Sequence, residues 1–311
     1  MRVAALSILL VLATTMGAVA QVQVDLAIKR SLYIRYEPVL ATVSITNLSG
    51  RELRLEDDPR NHWFGFQVET TDGRPVPPTD PNYSNAALVL GAGQRISRTV
   101  NLTPLFPISE FGAYRVRATV YVADLRRFFS SQTQNIEITD GRVLWQKTVG
   151  VPDGQSGAGS LRAISILSHR LSQTTQLYIR IEDPDQGVIF CTHQLGRFLT
   201  FGSPDIMLDQ QNRVHILQNA APKVFLYSKI GLNGEVLDRK SYNEFSTRPT
   251  LRRGSDGSVV IVGGQIIDPN APKPEETLPG LGDRPVALPE EGATPTPPPA
   301  DEKRPENLLS R

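Results

Sequence analysis

Between residues 22 and 140, apolar and polar side chains alternate in short runs, the period of two shown by a strand with one buried face. Val39, Ala41, Val43 and Ile45 share one parity, and Thr42, Ser44 and Thr46 the other. Beyond the turn Asn47-Leu48-Ser49-Gly50 the alternation resumes with Leu53 and Leu55 inward. Val22, Val24, Leu26 and Ile28 predict an earlier strand; Phe64, Phe66 and Val68, then Ile96, Val100 and Leu102, predict later ones. The longest run sets Tyr114, Val116, Ala118, Val120 and Val122 inward, with Ile136 and Ile138 on a final strand beside it. Asp72-Gly73 is a turn that needs a positive φ. The proline-rich stretch from Arg74 to Pro81 reads as a long loop, because proline cannot donate to a ladder. Seven or so strands over about 130 residues is the count of a β-sandwich, and Val43→Asp is expected to unfold it.

Past the stretch VGVPDGQSGAGS the pattern changes from single strands to repeated hairpins. Pro204 matches Pro249, Ile206 matches Leu251, Val214 matches Val259 and Ile216 matches Ile261, all at an offset of 45 residues. LYIRIEDPDQGVIF and LYSKIGLNGEVL are two further hairpins, turning at Gly187 and Gly234. A period in the mid-forties is that of a four-stranded propeller blade, and the segment resembles blades of sialidase-like and related propellers. It supplies barely two blades where a closed propeller needs at least four. The resemblance therefore implies blade-like meanders that cover their edges by packing on the first domain, or else partner chains that complete a ring. The sialidase Asp-box is absent, since Ser255-Asp256-Gly257-Ser258 runs straight into Val259.

The segments EPVLATVSITNLSGRELRL, FGFQVETTDGRPV, LGAGQRISRTVNL and FGAYRVRATVYV resemble exported bacterial immunoglobulin-like domains over residues 24 to 140 or so. At fold level they are also similar to a bacterial intracellular proteinase-inhibitor family, whose inhibitory loop residues have no counterpart here. Gly112 and Tyr114 resemble the opening of strand F, with its corner tyrosine. The expected architecture is all-β: an N-terminal immunoglobulin-like sandwich over 21–150, a linker over 151–160, and a smaller β-meander domain of blade-like hairpins over 161–268.

The two ends change the picture in different ways. Residues 1–20 join Arg2, an apolar run from Val3 to Leu12 and the small-residue ending Ala18-Val19-Ala20, the plan of a signal peptide. This predicts export to the periplasm or the extracellular space, with no membrane span after cleavage. Residues 269–311 hold 11 of the 24 prolines and few aromatic or β-branched residues, which predicts a disordered Pro-rich tail.

Arg2 is the one charge in residues 1–20, which leaves 32 basic against 32 acidic residues. The basic excess of a nucleic-acid binder is missing. Cys191, the single cysteine, is expected as a buried small hydrophobe. His62, His169, His193 and His215 lack metal-ligand spacing. His215, between Val214 and Ile216, is expected to face solvent, and His169 and His193 are the pair that neighbouring strands could bring together. The carboxylates of Glu56-Asp57-Asp58 and Glu182-Asp183-Pro184-Asp185 are expected in turns rather than in a calcium loop. No G-x-S-x-G, H-E-x-x-H or Cys-x-x-Cys occurs, so neither a catalytic residue nor a cofactor is assigned. Trp63, beside Phe64 and Phe66, and Trp145 are the candidates for a face that binds a glycan or a peptide. The expected function is an exported, non-enzymatic binding or scaffold protein whose partner is a protein or glycan of the cell envelope. A secreted proteinase-inhibitor-like module and a glycan-active enzyme are the alternatives.

Overall fold

A computed structural model describes residues 21–268. The expected signal segment over 1–20 and the expected tail over 269–311 lie outside the described residues. The chain is all-β. In its first half the strands are β1 (Val22–Ile28), β2 (Leu32–Ile34), β3 (Leu40–Asn47), β4 (Leu53–Leu55), β5 (Phe64–Thr70), β6 (Pro75–Val76), β7 (Leu88–Leu90), β8 (Arg95–Asn101), β9 (Gly112–Val122), β10 (Arg127–Ser130) and β11 (Gln134–Thr139). One sheet runs β1-β3-β8 and the other β2-β11-β9-β5-β6, with β10 on β9 and a small separate pair, β4-β7. β2 lies parallel to β11, and the other pairings are antiparallel.

The parity read from the sequence is the parity of the core. Val39, Ala41, Val43 and Ile45 are buried with Val24, Leu26, Leu53, Leu55, Val116, Ala118 and Val120. The Tyr114 hydroxyl donates to the Glu110 carbonyl at 3.0 Å, which is the bond a tyrosine corner makes to the backbone a few residues upstream.

The second half comprises β12 (Arg142–Gly150), β13 (Leu161–Leu171), β14 (Thr174–Asp183), β15 (Val188–Arg197), β16 (Asp205–Leu208), β17 (Val214–Ala221), β18 (Val224–Ile230), β19 (Val236–Asn243), β20 (Thr250–Arg253), β21 (Val259–Val262) and β22 (Gln265–Ile266). These form a meander β12-β13-β14-β15, a second sheet β16-β17-β18-β19-β22 and a final pair β20-β21. The four hairpins read from the repeat are β14-β15, β16-β17, β18-β19 and β20-β21.

The boundary falls elsewhere than the glycines suggest. β12 pairs with β13 from Arg142↔Ser168 to Gly150↔Leu161, so residues 151–160 close a hairpin inside one sheet. A loop in which Gly154, Gly157 and Gly159 all take positive φ has the composition of a linker, because both need glycine's conformational freedom.

The first two sheets of this half are stacked through Ile164, Ile166, Leu177, Ile179 and Ile181 against Val214, Ile216 and Ile230. The second sheet is covered in turn by β20-β21 through Leu217, Phe225, Tyr242 and Leu251. The opposite face of β13-β14 meets the sandwich: Leu167 and Tyr178 enclose Ile34. Polar contacts ring that cluster. Arg30 donates to the Tyr178 hydroxyl at 3.2 Å and pairs with Glu37, while Arg180 donates to the Arg35 carbonyl at 2.9 Å and to Asp140 at 3.3 Å. β14 is thus buried on both faces, Leu177, Ile179 and Ile181 toward the second sheet and Tyr178 and Arg180 toward the sandwich. Of the meander, β13-β14 meets the sandwich, while β16-β17, β18-β19 and β20-β21 pack within the second half.

Candidate functional site

The two candidate tryptophans go to different places. Trp63 is buried in the sandwich core, with its indole N–H on the Ala86 carbonyl at 3.1 Å. Its neighbours Phe64 and Phe66 reach an apolar slot of about 340 Å³, at the lower end of the range of ligand sites, that Trp63 does not line. The aromatic face read from Trp63 is therefore core, for the reason that a large ring buries more area than any other side chain.

Trp145 sits on β12 at a bulge. Val143 pairs with Leu167 and Trp145 with Ile166, leaving Leu144 as the extra residue that re-aims the side chain beyond it. Trp145 packs partly on the apolar layer between the two sheets and partly lines an open groove of about 670 Å³, within the roughly 300–1,000 Å³ usual for ligand sites. The groove lies between β12 and the β15-β16 connection. Val143, Leu144, Phe198, Pro204 and Ile206 supply the rest of its apolar wall, and Arg142, Ser168, Thr200, Ser203 and Asp205 its polar wall. Asp205 is the only carboxylate in the lining, and it accepts from the Leu251 backbone N–H at 2.8 Å. A ring that can stack, surrounded by hydroxyls, one cation and one anion, can hold a polyhydroxylated or amide-rich ligand by its faces and edges.

His215 is not the solvent-facing residue that alternation implied. It is 2% exposed, because β17 is covered on both faces and has no wet parity. The Tyr227 hydroxyl donates to Nδ1 at 2.9 Å, and Nε2–H donates to Asp209 at 3.3 Å, a tautomer assigned from the partners. Arg213 donates to the same carboxylate at 2.6 Å. Burial holds the imidazole below its ordinary 6.5, outweighing Asp209. Burial works against the Asp209 carboxylate, but the bonds from Arg213 and His215 hold it below the usual carboxylate value. Burial also pushes the Tyr227 hydroxyl up to about 12. Both lowered groups bind protons more tightly in the unfolded chain, so their contribution is present above 6.5 and is lost as pH falls. Thermal melts followed by far-UV circular dichroism are therefore expected to show Tm falling below pH 6.5. In His215→Gln the part of this slope between the imidazole and carboxylate ranges is expected to flatten; an unchanged slope there would assign it to other groups.

The remaining candidates stay apart. His169 Nε2 lies 2.8 Å from the Thr139 hydroxyl and His193 Nε2 lies 2.9 Å from the Gly234 carbonyl, so the two do not meet. Cys191 is buried, and burial pushes its thiol up to about 12. The acidic clusters hold turns. Asp57 accepts from the backbone of Trp63 and Asn85, and Asp183 accepts from Asp185 and Gln186. Among the described residues no group of three or more histidine, cysteine or carboxylate side chains is placed to hold a metal. What the sequence could not reveal was the set Ser168, Thr200, Ser203 and Asp205 around Trp145, because these residues come from β13 and from a connection far along the chain.

No family model and no curated protein match the chain. Two solved structures resemble it weakly. The sporulation control protein Spo0M from Bacillus subtilis matches at TM-score 0.27 and 10% identity, over 55% of this chain and 83% of its own. The periplasmic chaperone SfaE matches at TM-score 0.23 and 10% identity, over 70% of this chain and 97% of its own. Among the described residues no helix is long and apolar enough to cross a membrane.

Proposed function

We propose that the chain is an exported, non-enzymatic binding protein of the cell envelope and that the Trp145 groove takes a glycan. The observation that carries this reading is the half-buried indole at the wall of a large groove whose other side chains divide evenly between apolar ones and hydroxyl or charged ones. Sugars present an apolar face to an aromatic ring and hydroxyls at their edges, and this lining supplies partners for both. Binding rather than turnover is supported by the single carboxylate: glycoside hydrolysis of the usual kind uses two, and Asp205 is also engaged by the Leu251 N–H. Export rests on the signal-like pattern of residues 1–20.

Soluble envelope-glycan fragments titrated into the protein are expected to bind saturably in isothermal titration calorimetry, which reads the parent and the variant alike, and to change the parent's tryptophan emission. Trp145→Ala is expected to weaken binding about tenfold or more, the loss of roughly 1.4 kcal/mol or above. A glycan panel with no saturable binder, or an unchanged affinity in Trp145→Ala, would remove the reading. Amino-terminal sequencing of the protein from its own cells tests export, with cleavage expected after Ala20.

A further inference from the structure

The near-zero net charge of the chain hides an uneven distribution. The turns and connections at one end of the meander carry two phenylalanines standing in solvent. Phe201, in the β15-β16 connection, is 95% exposed, and Phe245, in the β19-β20 connection, is 84% exposed. These connections are equivalent in the repeat, each phenylalanine lying shortly before a proline, Pro204 or Pro249. Isolated exposed apolar residues are ordinary; two rings this bare, at equivalent tips of one end, are not.

The register brings the tips together. Leu171↔Thr174 closes β13-β14 and Ala221↔Val224 closes β17-β18 at the same end. The Leu199 N–H bonds the Asn219 carbonyl and the Glu244 N–H bonds the Lys223 carbonyl. Phe201 and Arg248 line one small cavity. The same end carries Arg170, Arg197, Lys223 and Arg248, all exposed, with the Arg248 guanidinium 5.1 Å from the Phe225 ring centroid. Among the described residues none of these four forms an ion pair. Glu244 is the one acid within the four connecting segments at this end.

The geometry points to this end as a surface that docks on a lipid bilayer carrying anionic headgroups. The two rings enter the interfacial layer and the four cations lie against the headgroups. A protein partner is usually met by a continuous apolar patch with a polar rim. Aromatic tips that share an end with exposed basic side chains suit a soft interface, where each ring inserts by itself and each cation gains from the surface potential. The charge asymmetry is also what draws such a protein to the surface from solution, and salt would weaken it.

The test is co-sedimentation of the mature protein with vesicles of phosphatidylcholine alone and of phosphatidylcholine mixed with phosphatidylglycerol. Binding is expected on the mixed vesicles only and is reversed by high salt. Phe201→Ser with Phe245→Ser is expected to reduce partitioning about tenfold or more, and Lys223→Gln with Arg248→Gln about tenfold. All four positions are exposed, so the variants are expected to melt like the parent, and glycan binding at Trp145 is expected to be unchanged in Lys223→Gln with Arg248→Gln, neither of which lines that groove. No binding to the mixed vesicles overturns the inference, whether or not an acidic protein or a second copy is captured instead. Equal binding by the Phe201→Ser, Phe245→Ser protein overturns it as well.

Discussion

Val43→Asp and Ile45→Asp are expected to destabilise the sandwich strongly, with Ile45→Asp the more severe. Both residues are buried on β3, the middle strand of its sheet. A carboxylate there loses water without gaining a fixed partner, which places the cost in the range of about 4 kcal/mol or more that marks exceptional substitutions. That is a large share of the roughly 5–15 kcal/mol that holds an ordinary domain folded. The two differ in what lies across the ladder. Val43 faces Arg98 and Ile45 faces Ile96. Arg98 stands at a core parity on the edge strand β8, its guanidinium 5.2 Å from the Phe64 ring centroid, so it can partly compensate Asp at 43 but not at 45. Urea unfolding followed by circular dichroism gives the order. Thr42→Asp, on the outer parity, should stay within about 1 kcal/mol of the parent. Equal losses at 42 and 45 would show that parity does not decide burial here.

Tyr178→Ala is expected to separate the stability of the two halves. Tyr178 is 0% exposed, packs with Ile34 and Leu167, and accepts from Arg30. Truncating a buried aromatic costs about 3–5 kcal/mol, and here the loss falls on the contact between the sandwich and the first meander. Two unfolding transitions are expected in place of one. Tyr178→Phe keeps the packing and removes only the hydroxyl, for which a loss of about 1–3 kcal/mol is expected because Arg30 is left short of a partner. A single unshifted transition in Tyr178→Ala would mean that the halves are joined chiefly elsewhere.

Much of the architecture was legible because it rests on local periodicity. The period of two located the sandwich core from Val24 to Ile138, and the 45-residue offset located four hairpins. The misses have separate physical causes. Alternation tells which residues differ in environment only when one face is wet. β17 is covered on both sides, so His215, which alternation placed outward, is buried against a second neighbour. The 151–160 loop was misread because glycine serves a tight hairpin and a linker equally. The groove was half legible. Trp145 stood out as a tryptophan outside the sandwich pattern, but the side chains facing it come from residues 168 and 198–206, a distance that no local pattern spans.

The junction between the halves has a mechanical consequence. Only Asp140 and Gly141 separate β11 from β12. A β-carbon on Gly141 would lie 2.9 Å from the Leu167 β-carbon, and Asp140 is held by Arg180. A joint this short and this crowded has no room to swivel. The two halves are joined as a bracket rather than as two beads on a string, through a joint too short and too crowded to serve as a flexible linker.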